Sequence, residues 1–109
     1  MATHQFGIMN QAPLRGQRYD SYTPEKYKLI SIDDDFISPL VPKLSCVDTF
    51  WHSIDVPGKG LAYCGVTLIS PKSIYTIIKM IEKKPELYRL KELLSEAFAE
   101  NKFVIHYGL

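Results

Sequence analysis

Cysteine is scarce in this sequence, and neither sign of charge is in excess. Only Cys46 and Cys64 occur among 109 residues, which is sparse for a disulfide-stabilised secreted domain. The formal net charge is +1, without the clustered basic excess that is typical of nucleic-acid binding. No apolar run approaches the ~20 residues that a membrane span needs. We therefore expect neither a nucleic acid nor a membrane as partner.

The N-terminus lacks the pattern of an export signal. Residues 1–17 contain no apolar stretch behind a basic start, which is how a secretory signal peptide is recognised. Together with the few cysteines, this favours the cytoplasm, where both thiols stay reduced.

Common catalytic motifs are also missing. The sequence has no glycine-rich phosphate-binding motif and no nucleophile-elbow motif. Its two cysteines and three histidines show no zinc-ligand spacing. We therefore expect no metal site and no cofactor, and an enzyme is the less favoured interpretation.

What is present is the composition of an ordinary globular domain. Hydrophobic residues make up 46% and charged residues 23%, and the length suits one core. Glycine and proline interrupt residues 1–26, which predicts an irregular N-terminal arm, and residues 27–109 are predicted to form the domain. The apolar stretch at 6–9 is either an edge strand docked on the domain or a frayed terminus.

Hydrophobic periodicity predicts the elements of this domain. In chain order they are a strand (27–32), a short helix (36–44), a hairpin (arms 48–54 and 61–69, turn 56–60), two helices separated by Pro85, and a last strand (103–107). This order predicts an α+β fold with a mostly antiparallel sheet of about four strands and two helices packed on one face. The apolar stripes place Ile77, Ile81, Leu90 and Leu94 in the core.

The acidic run Asp33-Asp34-Asp35 follows a predicted strand directly. Carboxylates at a strand end suit a divalent metal, but neighbouring residues point in different directions and no second acidic cluster accompanies them. Capping of the short helix by Asp34 or Asp35 is the simpler explanation.

A second candidate site combines His52, Cys64 and His106, which lie on predicted strands. A thiol beside an imidazole is a nucleophile-and-base arrangement, and Asp55 could orient it. The alternative is structural, because a buried cysteine usually behaves as a small hydrophobe.

Aromatic residues crowd the N-terminal arm. Tyr19 and Tyr22 lie there near Arg15 and Arg18, and tyrosine and arginine are enriched at the centres of protein interfaces. The alternative is that the tyrosine rings cover the core of a small domain. The first interpretation makes Tyr19, Tyr22 and the acidic run a partner-binding surface.

Residues 60–73 (GLAYCGVTLISPKS) and 101–109 (NKFVIHYGL) resemble a group of short bacterial proteins of unassigned function that occur near polymorphic toxin and immunity genes. The resemblance extends to residues 6–9 and 19–27. It implies a binding protein, such as an immunity-type inhibitor, and it implies no catalytic residues.

Two functions therefore remain open. The first is a non-catalytic binding protein whose partner is another protein, with a homo-oligomer also open. The second is a small hydrolase or metal-dependent enzyme that uses the acidic run or the His52, Cys64 and His106 group.

Overall fold

The computed structural model describes residues 3–19, 24–62 and 65–108. Within these ranges six strands occur: β1 (Thr3–Ile8), β2 (Ile30–Asp33), β3 (Asp48–Trp51), β4 (Pro57–Lys59), β5 (Val66–Ile69) and β6 (Val104–Gly108). The helices are α1 (Asp34–Ile37), α2 (Val41–Leu44), α3 (Pro71–Ile81) and α4 (Tyr88–Ala99). Short 3-10 turns join α1 to α2 (Ser38–Leu40) and precede α4 (Pro85–Leu87).

The described strands form one antiparallel sheet in the order β2-β1-β6-β5-β3-β4. The predicted α+β class and antiparallel sheet are confirmed, with six strands in place of about four. Strand β1 belongs to the segment predicted as an irregular arm. It pairs with β2 and with β6, so it is an inner strand and not an edge strand.

The predicted hairpin is wrong in its turn. Residues 57–59 form the edge strand β4, which pairs with β3, while β5 pairs with the other side of β3. Pro57 suits an edge, where no partner needs its missing N–H group. Gly58 leaves room for the Trp51 ring, since an added Cβ would lie 2.8 Å from it.

Two apolar layers cover the sheet. The larger cluster lies between the sheet and the helices, and it buries Ile77, Ile81, Leu90 and Leu94 to 5% exposure or less, as the sequence predicts. A smaller cluster on the other face includes Leu68 and Ile105. Because both faces are covered, every residue of β5 is buried, and its continuous apolar run follows from this position.

In the described part of the chain, no helix combines the length and the apolar content that crossing a membrane requires.

Candidate functional site

Two histidines from opposite ends of the chain meet inside the sheet. His4 lies on β1 and His106 on β6, and the strands pair so that Phe6 is opposite His106. Thr67 of β5 is opposite His106 on its other side. Side chains alternate along a strand, so His4 shares the helix-covered face of the sheet with Phe6.

Hydrogen bonds join these residues into one chain that ends at Asp34 of α1. His4 Nε2 lies 2.8 Å from Asp34 Oδ1, and His4 Nδ1 lies 2.8 Å from His106 Nε2. His106 Nδ1 lies 3.3 Å from the Thr67 hydroxyl, which accepts the Ala62 N–H group at 2.8 Å. We call His4, Asp34, Thr67 and His106 the histidine network.

The network is enclosed except at one end. His4 is 1% exposed and Thr67 and His106 are 0% exposed, while the side chain of Asp34 is 20% exposed. Burial, with the nearby charge of His4, lowers the pKa of His106 from 6.5 to about 3. His106 is therefore a neutral imidazole at neutral pH, and exchange of protons with water proceeds most easily at Asp34.

The order carboxylate, imidazole, imidazole, hydroxyl has the parts of a nucleophile-activating relay. The terminal hydroxyl of Thr67 is fully buried, so a substrate cannot reach it in this structure. The arrangement as it stands positions strands and holds protons.

Of the predicted catalytic residues that the structure describes, His106 joins the network. His52 lies in the turn after β3 with φ 66°. Its ring packs against Gly65, because a Cβ added at Gly65 would lie 3.1 Å from the ring. Cys64 lies outside the described residues. Cys46 is an exposed free thiol. His4 is a further residue of the network, and the signal for it in the sequence is its alternation with the apolar Phe6, which places both on the core face.

The acidic run is divided among three roles. Asp33 is the N-cap of α1, because its carboxylate accepts the Asp35 N–H group at 3.0 Å, so the cap lies one residue before the predicted ones. Asp34 belongs to the histidine network, and Asp35 is exposed. Within residues 3–19, 24–62 and 65–108, no group of three histidine, cysteine or acidic side chains is placed to hold a metal ion.

Two tyrosines of the described N-terminal segment, Tyr19 and Tyr27, lie over the second face of the sheet. Tyr19 and Tyr27 are half-buried against the smaller apolar cluster. Burial, with Tyr107 and Tyr19 nearby, raises the pKa of Tyr27. Tyr22 lies outside the described residues.

An aromatic pair that the sequence analysis did not single out lies on the surface of the helical layer. The rings of Tyr75 on α3 and Phe98 on α4 have centroids 5.4 Å apart, yet they are 48% and 42% exposed. Lys79 Nζ lies 5.4 Å from the centroid of the Tyr75 ring. Tyr75 falls outside the apolar stripe of α3, whereas Phe98, four residues after Leu94, falls at the edge of the stripe of α4.

The two charged residues within α3 are basic, and each lies near an acidic side chain outside the helix. Helix α3 carries Lys72 and Lys79 and no acidic residue, and Lys79 has a loose ion pair with Glu82 at 3.8 Å. We call Lys72, Tyr75, Lys79 and Phe98 the helical patch. A groove of about 780 Å³ between α4 and residues 25–30 is instead lined by both signs of charge.

Comparisons of the chain with protein-family models, with curated proteins and with solved structures found no match.

Proposed function

We propose that the chain is a non-catalytic binding protein that holds an acidic protein partner on its helical patch. The observation that carries this proposal is the pair Tyr75 and Phe98, two rings in contact that each remain almost half exposed. Aromatic side chains provide large contact area, and they are enriched where protein interfaces are most fully desolvated.

The position of the pair supports a rigid contact surface. Tyr75 and Phe98 come from two helices whose inner faces are anchored by core residues such as Ile74 and Leu94. Rings held by packed helices lose little conformational freedom when a partner covers them, and this lowers the entropic cost of binding.

Charge favours an acidic partner. Lys72 and Lys79 lie on the same helix as Tyr75, and complementary charges speed encounter between proteins. The acidic run is a weaker contact candidate than the sequence suggested, because Asp33 and Asp34 make hydrogen bonds inside the domain. The resemblance to short bacterial proteins near toxin genes favours a toxin enzyme as the partner.

The test is affinity capture from the native source with tagged parent and variant chains, followed by quantitative mass spectrometry. The variant Tyr75→Ser/Phe98→Ser removes both rings. Tyr88→Ser is the matched control, because Tyr88 is 63% exposed and lies outside the helical patch. We expect a protein that the parent and the control retain and that the double variant loses by about tenfold or more.

Equal recovery with all three chains would contradict the proposal, as would loss with Tyr88→Ser alone. Recovery of nucleic acid in place of an acidic protein would contradict the partner chemistry. With the captured partner, Lys72→Gln/Lys79→Gln should lower mainly the association rate and weaken its dependence on salt.

A small hydrolase is the second candidate, and the order of groups in the histidine network favours it. In this alternative, access to the buried hydroxyl of Thr67 would require a local movement of the residues that cover it. Turnover of a small ester or phosphate that is abolished by His106→Ala or Cys64→Ala would support the hydrolase over the binding protein.

A further inference from the structure

We infer that the histidine network is a one-proton switch that connects the surface carboxylate of Asp34 to the backbone segment before β5. The inference is independent of the proposed partner. It rests on the unbroken series of hydrogen bonds through His4 and His106 to Thr67.

When both imidazoles are neutral, each residue of the network donates its hydrogen bond to the next residue in the direction of Asp34. The carboxylate accepts from His4 Nε2, so the bare nitrogen of His4 is Nδ1. His4 Nδ1 must then accept from His106 Nε2–H, which leaves His106 Nδ1 bare. The Thr67 hydroxyl completes the series by donating to His106 Nδ1.

One added proton reverses this direction. A proton on His4 Nδ1 makes His4 a double donor, and His106 Nε2 must then accept. His106 is still neutral, so its own proton moves to Nδ1 and is donated to Thr67. The Thr67 oxygen then receives both this N–H group and that of Ala62, and its hydroxyl hydrogen is no longer donated to His106.

The surroundings limit the network to one such proton. Among the described residues, His106 is faced by His4 from β1, by Thr67 from β5 and by the uncharged Phe6 ring at 4.9 Å, and the series ends at the Asp34 carboxylate. That carboxylate stabilises a cation on His4, whereas a second cation on His106 would lie beside the first. The low pKa of His106, about 3, agrees with this limit.

The switch acts on the hydrogen bond between the Ala62 N–H group and Thr67 of β5. The Ala62 N–H group donates to Thr67 in either state, but the hydroxyl is a donor to His106 in one state and an acceptor from it in the other. We therefore expect the amide environment of Ala62 to change with the protonation of His4, although Asp34 and Ala62 lie on opposite sides of the two histidines.

The experiment is nitrogen NMR of the full chain with ring-labelled histidine, titrated from about pH 8 to about pH 5. As His4 becomes doubly protonated, His106 should change from the Nε2–H to the Nδ1–H tautomer with the same midpoint, and the Ala62 amide shift should follow. A His106 tautomer that stays constant while His4 titrates would overturn the switch. Absence of any titration of His4 in this range would overturn it as well.

Two aspartate variants separate the switch from a general effect of charge. Asp34→Asn removes the carboxylate that stabilises the His4 cation, so the coupled transition should move to lower pH. Asp35→Asn removes an exposed neighbouring charge and should leave the midpoint nearly unchanged. Equal shifts in both variants would contradict a specific effect of the Asp34 carboxylate on His4. Thr67→Ser keeps a hydroxyl and should preserve the coupled transition. Loss of the transition in this variant would contradict coupling through the hydrogen bonds from Asp34 to residue 67.

Discussion

At the scale of single residues, the chemistry of a side chain in this protein depends on which face of the sheet it occupies. His106 is fully buried on the helix-covered face and bonded to His4, whereas His52 packs against Gly65 in a turn. The sequence presents both as histidines near predicted strands. Only the pairing of β1 with β6, which are about a hundred residues apart, distinguishes their environments.

The lowered pKa of His106 predicts that the protein loses stability in mild acid. The unfolded chain binds a proton at this residue below its ordinary pKa of 6.5, and the folded chain does not until about pH 3. The stabilising effect is therefore complete above pH 6.5 and is lost progressively as the pH falls towards 3. Between about pH 7 and pH 5, the free energy of unfolding should fall by about 2 kcal/mol because of this residue. Urea melts at the two pH values measure it, and a free energy of unfolding that does not fall would contradict it.

A second prediction at this scale concerns Gly60. Its φ is +66°, and a Cβ there would lie 3.1 Å from the Leu44 carbonyl oxygen. Gly60→Ala should cost about 1–2 kcal/mol from backbone strain, with a further cost from the contact. Gly16 has φ +79° with nothing within 4 Å of an added Cβ, so Gly16→Ala measures the strain alone. Thermal melts in which Gly60→Ala is no more destabilised than Gly16→Ala would show that the contact is harmless.

At the scale of elements, the sequence predicts best where periodicity is long. The positions of α3 and α4 and the buried stripe of α4 agree with the structure because a stripe repeated over three turns has few alternatives. Strand β4 was missed because Pro57 and Gly58 are typical turn residues, and only an edge position with Trp51 packed over Gly58 makes them a strand. Strand β1 was uncertain because its pairing with β2 and β6 is entirely non-local.

The packing of α4 yields a direct test of the core. Leu90 is 2% exposed within the main cluster, so Leu90→Ala should lower the free energy of unfolding by about 2–5 kcal/mol. Arg89→Ala on the exposed side of the same helix should change it by about 0.5 kcal/mol or less. Denaturant melts of both variants check the assignment, and similar losses would mean that the buried face is wrong.

At the scale of the whole molecule, a net charge of +1 does not show where the charged residues lie. Two lysines accompany the exposed aromatic pair on α3, while the groove between α4 and residues 25–30 is lined by both signs of charge. Composition alone could not reveal this, because it depends on which side of each helix faces its neighbour. The same holds for Tyr75 and Phe98, which are 23 residues apart in sequence and become one surface only when α3 packs on α4.

Site-specific photo-crosslinking can show whether the helical patch contacts a protein partner. A benzophenone amino acid is placed at position 75 of the full chain in one sample and at position 88 in another, in the native source. We expect a discrete adduct with one acidic protein from position 75 and none from position 88, and Phe98→Ser should weaken that adduct. The same adduct from both positions, or an adduct from position 88 alone, would contradict binding of a partner at the helical patch.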